Sequence, residues 1–122
     1  ANTFAVYVTG LVLEWLQEQG GVEAIEKVNE QKAKTLYDII DAGDYYRGVI
    51  QAECRGTMNV SFNLPSEELE AKFLKEAGSR GLYALKGHRS VGGIRASIYN
   101  AMPLAGVEAL AGFMREFESR NG

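Results

Sequence analysis

The 122-residue chain carries 13 Lys and Arg against 16 Asp and Glu, a formal charge of −3, with 46% hydrophobic and 24% charged residues. This is the balance of one globular domain with a single core; it excludes disorder and gives no electrostatic reason to expect nucleic acid or an anionic membrane as partner. The lone cysteine, Cys54, has no internal disulfide partner and favours a reducing cytoplasm, and no apolar run reaches the roughly 18 residues of a membrane-spanning helix.

In chain order, Phe4, Tyr7, Val8, Leu11, Val12, Trp15 and Leu16 recur at helical spacing until Gly20-Gly21 ends the run. Val6 and Leu13 make this first helix apolar on its remaining faces too, so it is expected at an interface. The chain opens at Ala1 without a methionine and enters this segment almost at once, which reads as a processed, excised or recombinant piece as easily as a whole gene product. A second helix is predicted from Val22 to about Ile40, with Val22, Ile25, Val28, Ala33, Leu36 and Ile40 inward. The Asp41–Asp44 stretch with Gly43 is a turn signal. A weak strand follows at Tyr46–Ile50. A clear one follows at Met58–Leu64, where Met58, Val60, Phe62 and Leu64 alternate with polar residues.

Ser66 is the expected N-cap of a third helix, with Glu67 and Glu68 at the positive end of its dipole. Leu69, Phe73, Leu74 and Ala77 form its core stripe, and Gly78 or Gly81 stops it. Leu82–Lys86 and Gly93–Tyr99 have strand character. Pro103 at the first helical position opens a final helix, with Leu104, Val107, Leu110, Ala111, Met114 and Phe117 on one face. The predicted class is α+β, a small antiparallel or mixed sheet covered on one side by helices.

The chemistry-bearing segment is Lys86 to Asn100. On a strand from Gly93 to Tyr99, Ile94, Ala96 and Ile98 share one face, while Arg95, Ser97 and Tyr99 share the other. A guanidinium presents a planar fork that matches a carboxylate with two parallel hydrogen bonds. His88 and Arg89 precede this strand at a glycine-rich turn, and two arginines with a histidine suit a ligand with two anionic ends. The alternative is an arginine that is solvated or paired with one of the 16 acidic residues. One histidine and one cysteine make no metal-ligand set, and no serine or cysteine nucleophile is served by His88. The glycines match neither the dinucleotide nor the phosphate-loop spacing.

The run Ala84-Leu85-Lys86-Gly87-His88-Arg89, with Gly92-Gly93-Ile94-Arg95-Ala96-Ser97-Ile98-Tyr99-Asn100-Ala101-Met102-Pro103, resembles the C-terminal signature of phosphoserine aminotransferases. Met58-Asn59-Val60-Ser61-Phe62, the helix Leu11–Leu16 ending in Gly20-Gly21, and the closing Phe113–Glu118 segment extend the likeness over nearly the whole chain, in order. The resemblance implies that residues 1–122 are the C-terminal small domain of a homodimeric, cytoplasmic pyridoxal phosphate enzyme of fold type I. The first helix, 3–19, would link it to a larger domain.

Such enzymes move an amino group from glutamate to 3-phosphohydroxypyruvate, giving phosphoserine for serine synthesis, and some bacterial members also serve pyridoxine synthesis. By the same resemblance, Arg95 would hold the substrate α-carboxylate, and His88 and Arg89 the distal phosphate or carboxylate. Asn2 and Thr3 correspond to an Asn-Thr pair that reaches the cofactor phosphate, although the two prolines that follow it in the family are missing here. The Schiff-base lysine lies upstream in the family, Lys86 does not take that role, and no catalytic residue is expected within 1–122, so the chain alone is expected to be inactive. The alternative is an independent α+β anion-binding or dimerisation module without catalytic activity. A reading frame extending far upstream of Ala1 would separate the two.

Overall fold

The computed structural model describes all 122 residues. Its elements are α1 (Thr3–Glu18), α2 (Gly21–Ile40), β1 (Arg47–Gly48), a 3-10 turn at Ala52–Cys54, β2 (Asn59–Asn63), α3 (Glu67–Ser79), β3 (Ile94–Ser97) and α4 (Leu104–Asn121). The three strands form an antiparallel sheet in the order β1-β2-β3.

Alternation along β2 and β3 decides how the sheet packs. Val60, Phe62, Ile94 and Ala96 are buried, whereas Asn59, Ser61, Asn63, Arg95 and Ser97 are half-buried on the opposite face. The apolar face meets Leu36, Ile39 and Ile40 of α2, Phe73 and Ala77 of α3, and Val107 through Phe117 of α4, which belong to the same buried core. At its centre Phe62, Phe73 and Tyr46 meet edge to face, with Phe113 and Phe117 beyond. The Tyr46 hydroxyl donates to the carbonyl of Met114 at 2.8 Å, and burial pushes its pKa far above the ordinary tyrosine value. That bond satisfies a buried hydroxyl which would otherwise be costly. The expected α+β class, with helices on one side of the sheet, is what the structure has.

Helix ends follow the local chemistry. The Leu69 amide donates to Ser66 Oγ at 3.3 Å, and Glu67, Glu68 and Glu70 fill the first turn of α3. Gly20, with φ of 95°, turns the chain from α1 into α2. Pro103 stands one residue earlier than expected: its extended ψ of 152° makes it the N-cap of α4 rather than a helical residue.

Three further sequence expectations need correction. Leu82–Lys86 is not a strand: Ala84 adopts a left-handed φ of 59°, which breaks the extended course, and only Lys86 bridges to Ile94. The expected Tyr46–Ile50 strand shrinks to Arg47–Gly48. Val22 and Val28 of α2 are exposed, and Asn29 and Lys32 take the buried positions instead.

α1 stands apart from this core. None of its residues is buried, and Phe4, Val6, Tyr7, Val8, Leu11, Val12 and Leu13 are exposed. Val8, Leu11, Val12 and Trp15 line a shallow groove with the turn Tyr99–Ala101.

Candidate substrate-anion site

The open face of the sheet carries the candidate site. Register pairs Arg95 with Ser61 and Ser97 with Asn59, so these four side chains share that face. Ser97 Oγ donates to Asn59 Oδ1 at 3.1 Å, which leaves Arg95 as the free charged group among them. Its guanidinium makes no ion pair within the chain, and its Nε is buried without a hydrogen-bond partner. A buried donor left unpaired costs about 1–3 kcal/mol, so a half-buried arginine in this state suits an external anion. By contrast, Arg55, Arg80 and Arg120 are each paired with a carboxylate.

A glycine-built loop places His88 and Arg89 beside this strand. The Arg95 amide donates to the Leu85 carbonyl at 2.7 Å, and the Gly87 amide to the Gly93 carbonyl at 2.8 Å. Between them the chain turns tightly, with the amides of Val91 and Gly92 both donating to the His88 carbonyl. The close approach requires glycine at two positions. A Cβ on Gly87 would lie 1.9 Å from the Gly92 carbonyl oxygen. Gly93 has φ of 69°, and a Cβ there would lie 2.8 Å from the Phe62 oxygen.

At the loop tip His88 and Arg89 are both exposed. The Ser90 amide donates to His88 Nδ1 at 3.3 Å, with Ser90 Oγ 2.7 Å from the same nitrogen. A neutral His88 that accepts there carries its proton on Nε2, which leaves that N–H directed away as a donor. Arg89 has no ion-pair partner within the chain. The three residues therefore sit on one loop and the strand it feeds, and all three have donors free for an anion.

Two side chains outside the sequence expectations shape the far end of β3. Lys32 of α2 is fully buried, and its Nζ donates to the carbonyls of Ile98 (3.1 Å), Tyr99 (2.9 Å) and Met102 (3.0 Å). Burial lowers its pKa from the ordinary lysine value. Asn29, one turn away and also buried, donates from Nδ2 to Asn100 Oδ1 at 2.8 Å. The signal was present in the sequence: positions 25, 29, 32, 36 and 39 form a continuous helical stripe, with a polar pair in the middle of it.

The residues present do not hold pyridoxal phosphate by themselves. Of the six lysines, Lys32 is consumed by three carbonyls, and Lys27, Lys34, Lys72, Lys75 and Lys86 are exposed on the surface. None of the five principal clefts is lined by a lysine. Asn2 is occupied as the N-cap of α1, where its Oδ1 accepts from the Ala5 amide at 3.1 Å, and Thr3 begins that helix, exposed. The cavity of about 330 Å3 between Leu82, Leu85, Ile98, Met102, Val107 and Leu110 is apolar and holds no cation for an anion.

Comparison with known proteins gives this geometry its context. The family model described as aminotransferase class-V matches residues 1–110. The chain belongs to the class-V aminotransferases. Among its class-V relatives, the phosphoserine aminotransferase of Rhodopirellula baltica is 59% identical over 121 residues, 98% of this chain and 32% of that protein. That of Ralstonia nicotianae is 60% identical over 116 residues, 95% of this chain and 31% of that protein. Among solved structures, the phosphoserine aminotransferase of Bacillus circulans subsp. alkalophilus superposes with a TM-score of 0.94 at 46% identity, covering 99% of this chain and 34% of that one. The pyridoxal phosphate-bound phosphoserine aminotransferase of Trichomonas vaginalis gives 0.86 at 39% identity, covering 93% and 33%. The chain thus spans about a third of the length of the class-V relatives it matches.

Proposed function

We infer that this chain is the small, substrate-anion-binding domain of a pyridoxal phosphate-dependent phosphoserine aminotransferase, an enzyme that moves an amino group from glutamate to 3-phosphohydroxypyruvate. The observation that carries this reading is the unpaired, half-buried guanidinium of Arg95 on the open sheet face, in a chain 59% identical to a phosphoserine aminotransferase.

Each residue has a defined part. Arg95 holds the α-carboxylate that glutamate and phosphoserine share, through two parallel N–H···O bonds. Arg89 and His88 Nε2–H, on the loop that precedes it, hold the distal group: phosphate in one substrate, the side-chain carboxylate in the other. Both substrates thus present two anionic ends to the same three donors. When bound, the cofactor supplies an electron sink for the amino transfer. Its lysine and ring contacts lie in the portion of the relatives that this chain does not span. The working enzyme is a cytoplasmic homodimer, residues 1–122 are its C-terminal domain, and α1 joins them to the rest.

A chimera tests this. This chain replaces the matching third of the Rhodopirellula baltica enzyme, and glutamate-dependent transamination is assayed. The expected result is an active chimera whose kcat/KM falls at least a hundredfold on Arg95→Gln, while the isolated chain shows no turnover. A chimera equally active with Arg95→Gln, or turnover by the isolated chain, would overturn the reading.

A further inference from the structure

Lys32 is an unusual group to find at the back of a sheet. It is fully buried, no carboxylate faces it, and its three contacts are all main-chain carbonyls between Ile98 and Met102. An ammonium has three protons and a neutral amine only two hydrogens to donate, so only the charged form satisfies all three carbonyls. An uncompensated buried charge is kept at a cost in desolvation, and a hydrophobic residue of similar volume fills such space without it. What the charge provides is the shape of the turn.

That turn adjoins the anion site. Ile98 continues the β3 ladder, its amide donating to the Met58 carbonyl at 2.9 Å, and stands three residues from Arg95. Tyr99 follows on the Arg95 side by alternation and is exposed. Asn29, one helical turn before Lys32, grips Asn100 from the same helix. The other end of the strand is fixed by the Arg95 amide on Leu85 and the Gly87 amide on Gly93. The strand bearing Arg95 is therefore clamped at both ends, and at its C-terminal end the clamp is a buried cation.

We propose that Lys32 is a positioning residue for the anion site: its ammonium, sealed among the carbonyls of Ile98, Tyr99 and Met102, fixes the end of β3 and with it the outward aim of Arg95. The assignment rests on the proposed role of Arg95, and Lys32 itself touches no substrate.

The test uses the full 122-residue chain, isotopically labelled, with Lys32→Met and Lys32→Ala. Amide exchange at Arg95 and Ile98 and the order of the Arg95 Nε–H group are measured by NMR, with Phe73 and Met114 as core references. In Lys32→Met, exchange at Arg95 and Ile98 rises about tenfold or more and the Arg95 side chain loses order, while the references hold. In Lys32→Ala, n-propylammonium, which replaces the deleted atoms and their charge, restores both signals, and propanol does not. A general loss of stability would move all four residues together and would not respond to the cation.

Unchanged exchange and order at Arg95 in Lys32→Met would overturn the proposal. Should that variant fail to fold, Lys32→Ala decides by the same readings: restoration by propanol as well as by n-propylammonium would overturn the cationic clamp. A parallel titration with phosphoserine keeps the two readings apart. Loss of order at Arg95 together with phosphoserine binding that ignores Arg95→Gln would leave the clamp standing and remove the proposed role of Arg95.

Discussion

Arg95 stands directly across from Ser61 in the β2–β3 ladder, yet the two side chains form no hydrogen bond, and the buried Nε of Arg95 has no partner in the chain. A site whose main charge is left unsatisfied favours ligand over self-contact. Arg95→Gln is accordingly expected to leave thermal stability unchanged or raise it. The same change should weaken phosphoserine binding by about 1.5–3 kcal/mol, the worth of charge-assisted hydrogen bonds, or roughly 10- to 150-fold. Scanning calorimetry and titration calorimetry check the two halves separately. Arg95→Lys keeps the charge but not the fork, and is expected to restore only part of the affinity.

The His88–Arg89 loop depends on two glycines for different reasons. Gly87→Ala drives a Cβ to 1.9 Å from the Gly92 carbonyl oxygen, whereas Gly92→Ala meets nothing within 4 Å and suffers only from its φ of 74°. The second change is expected to cost about 1 kcal/mol, as a left-handed non-glycine residue does. The first is expected to cost about 3 kcal/mol or more by forcing the backbone apart. Urea unfolding of the two variants gives the ranking directly.

Ala84 carries the opposite lesson, for it sits at φ of 59° where glycine would be unstrained. Ala84→Gly is expected to stabilise the chain by up to about 1 kcal/mol, less the backbone entropy that glycine loses on folding. The midpoint of urea unfolding should rise with an unchanged slope.

Acid should release one clamp of the β1–β2 connection. Arg55 binds Asp41 through its two terminal nitrogens, at 2.6 and 2.8 Å, and its guanidinium stacks 4.5 Å from the Tyr37 ring centre. The hydrogen bonds to Arg55 hold the Asp41 carboxyl below its ordinary value. A carboxyl with a depressed folded pKa contributes stability above its unfolded value, about 3.9, and loses it as pH falls through the folded one. The melting temperature of the native chain should therefore exceed that of Asp41→Asn at neutral pH. The difference should shrink below about pH 4.

The exposed apolar stripe on α1 predicts association. Phe4, Tyr7 and Val6 are 66–75% exposed, on a helix with no buried residue. Contiguous apolar surface of this kind marks an interface. Sedimentation of the chain at rising concentration should show self-association, and Phe4→Ser with Tyr7→Ser should suppress it. A strictly monomeric native chain would count against this.

Much of this was legible in the residues. Alternation along Met58–Leu64 and Gly93–Tyr99 gave the two paired strands and the side on which Arg95 stands, because period-two burial leaves little choice of face. Ser66 and the glutamates after it marked the start of α3. The unpaired state of Arg95 was not legible, since 16 acidic residues could have met it and only the fold decides which do. Leu82–Lys86 has strand character by pattern alone because Ala84 gives no sign of its left-handed backbone; glycine would have. The buried role of Lys32 was not legible, because lysine is almost always solvated and this role depends on carbonyls some 70 positions further along the chain. The resemblance to phosphoserine aminotransferases supplied expectations that pattern could not: which anion Arg95 would meet, and where in the family the cofactor's lysine would lie.

The most direct test of the anion site is an NMR titration of the labelled chain with phosphoserine, following the Arg95 Nε–H signal and the backbone amides from Gly87 to Arg95. Saturable shifts confined to that loop and strand, weaker with serine and lost in Arg95→Gln, are the predicted result. Phosphoserine shifts that leave Arg95 and the His88–Arg89 loop untouched would contradict the account.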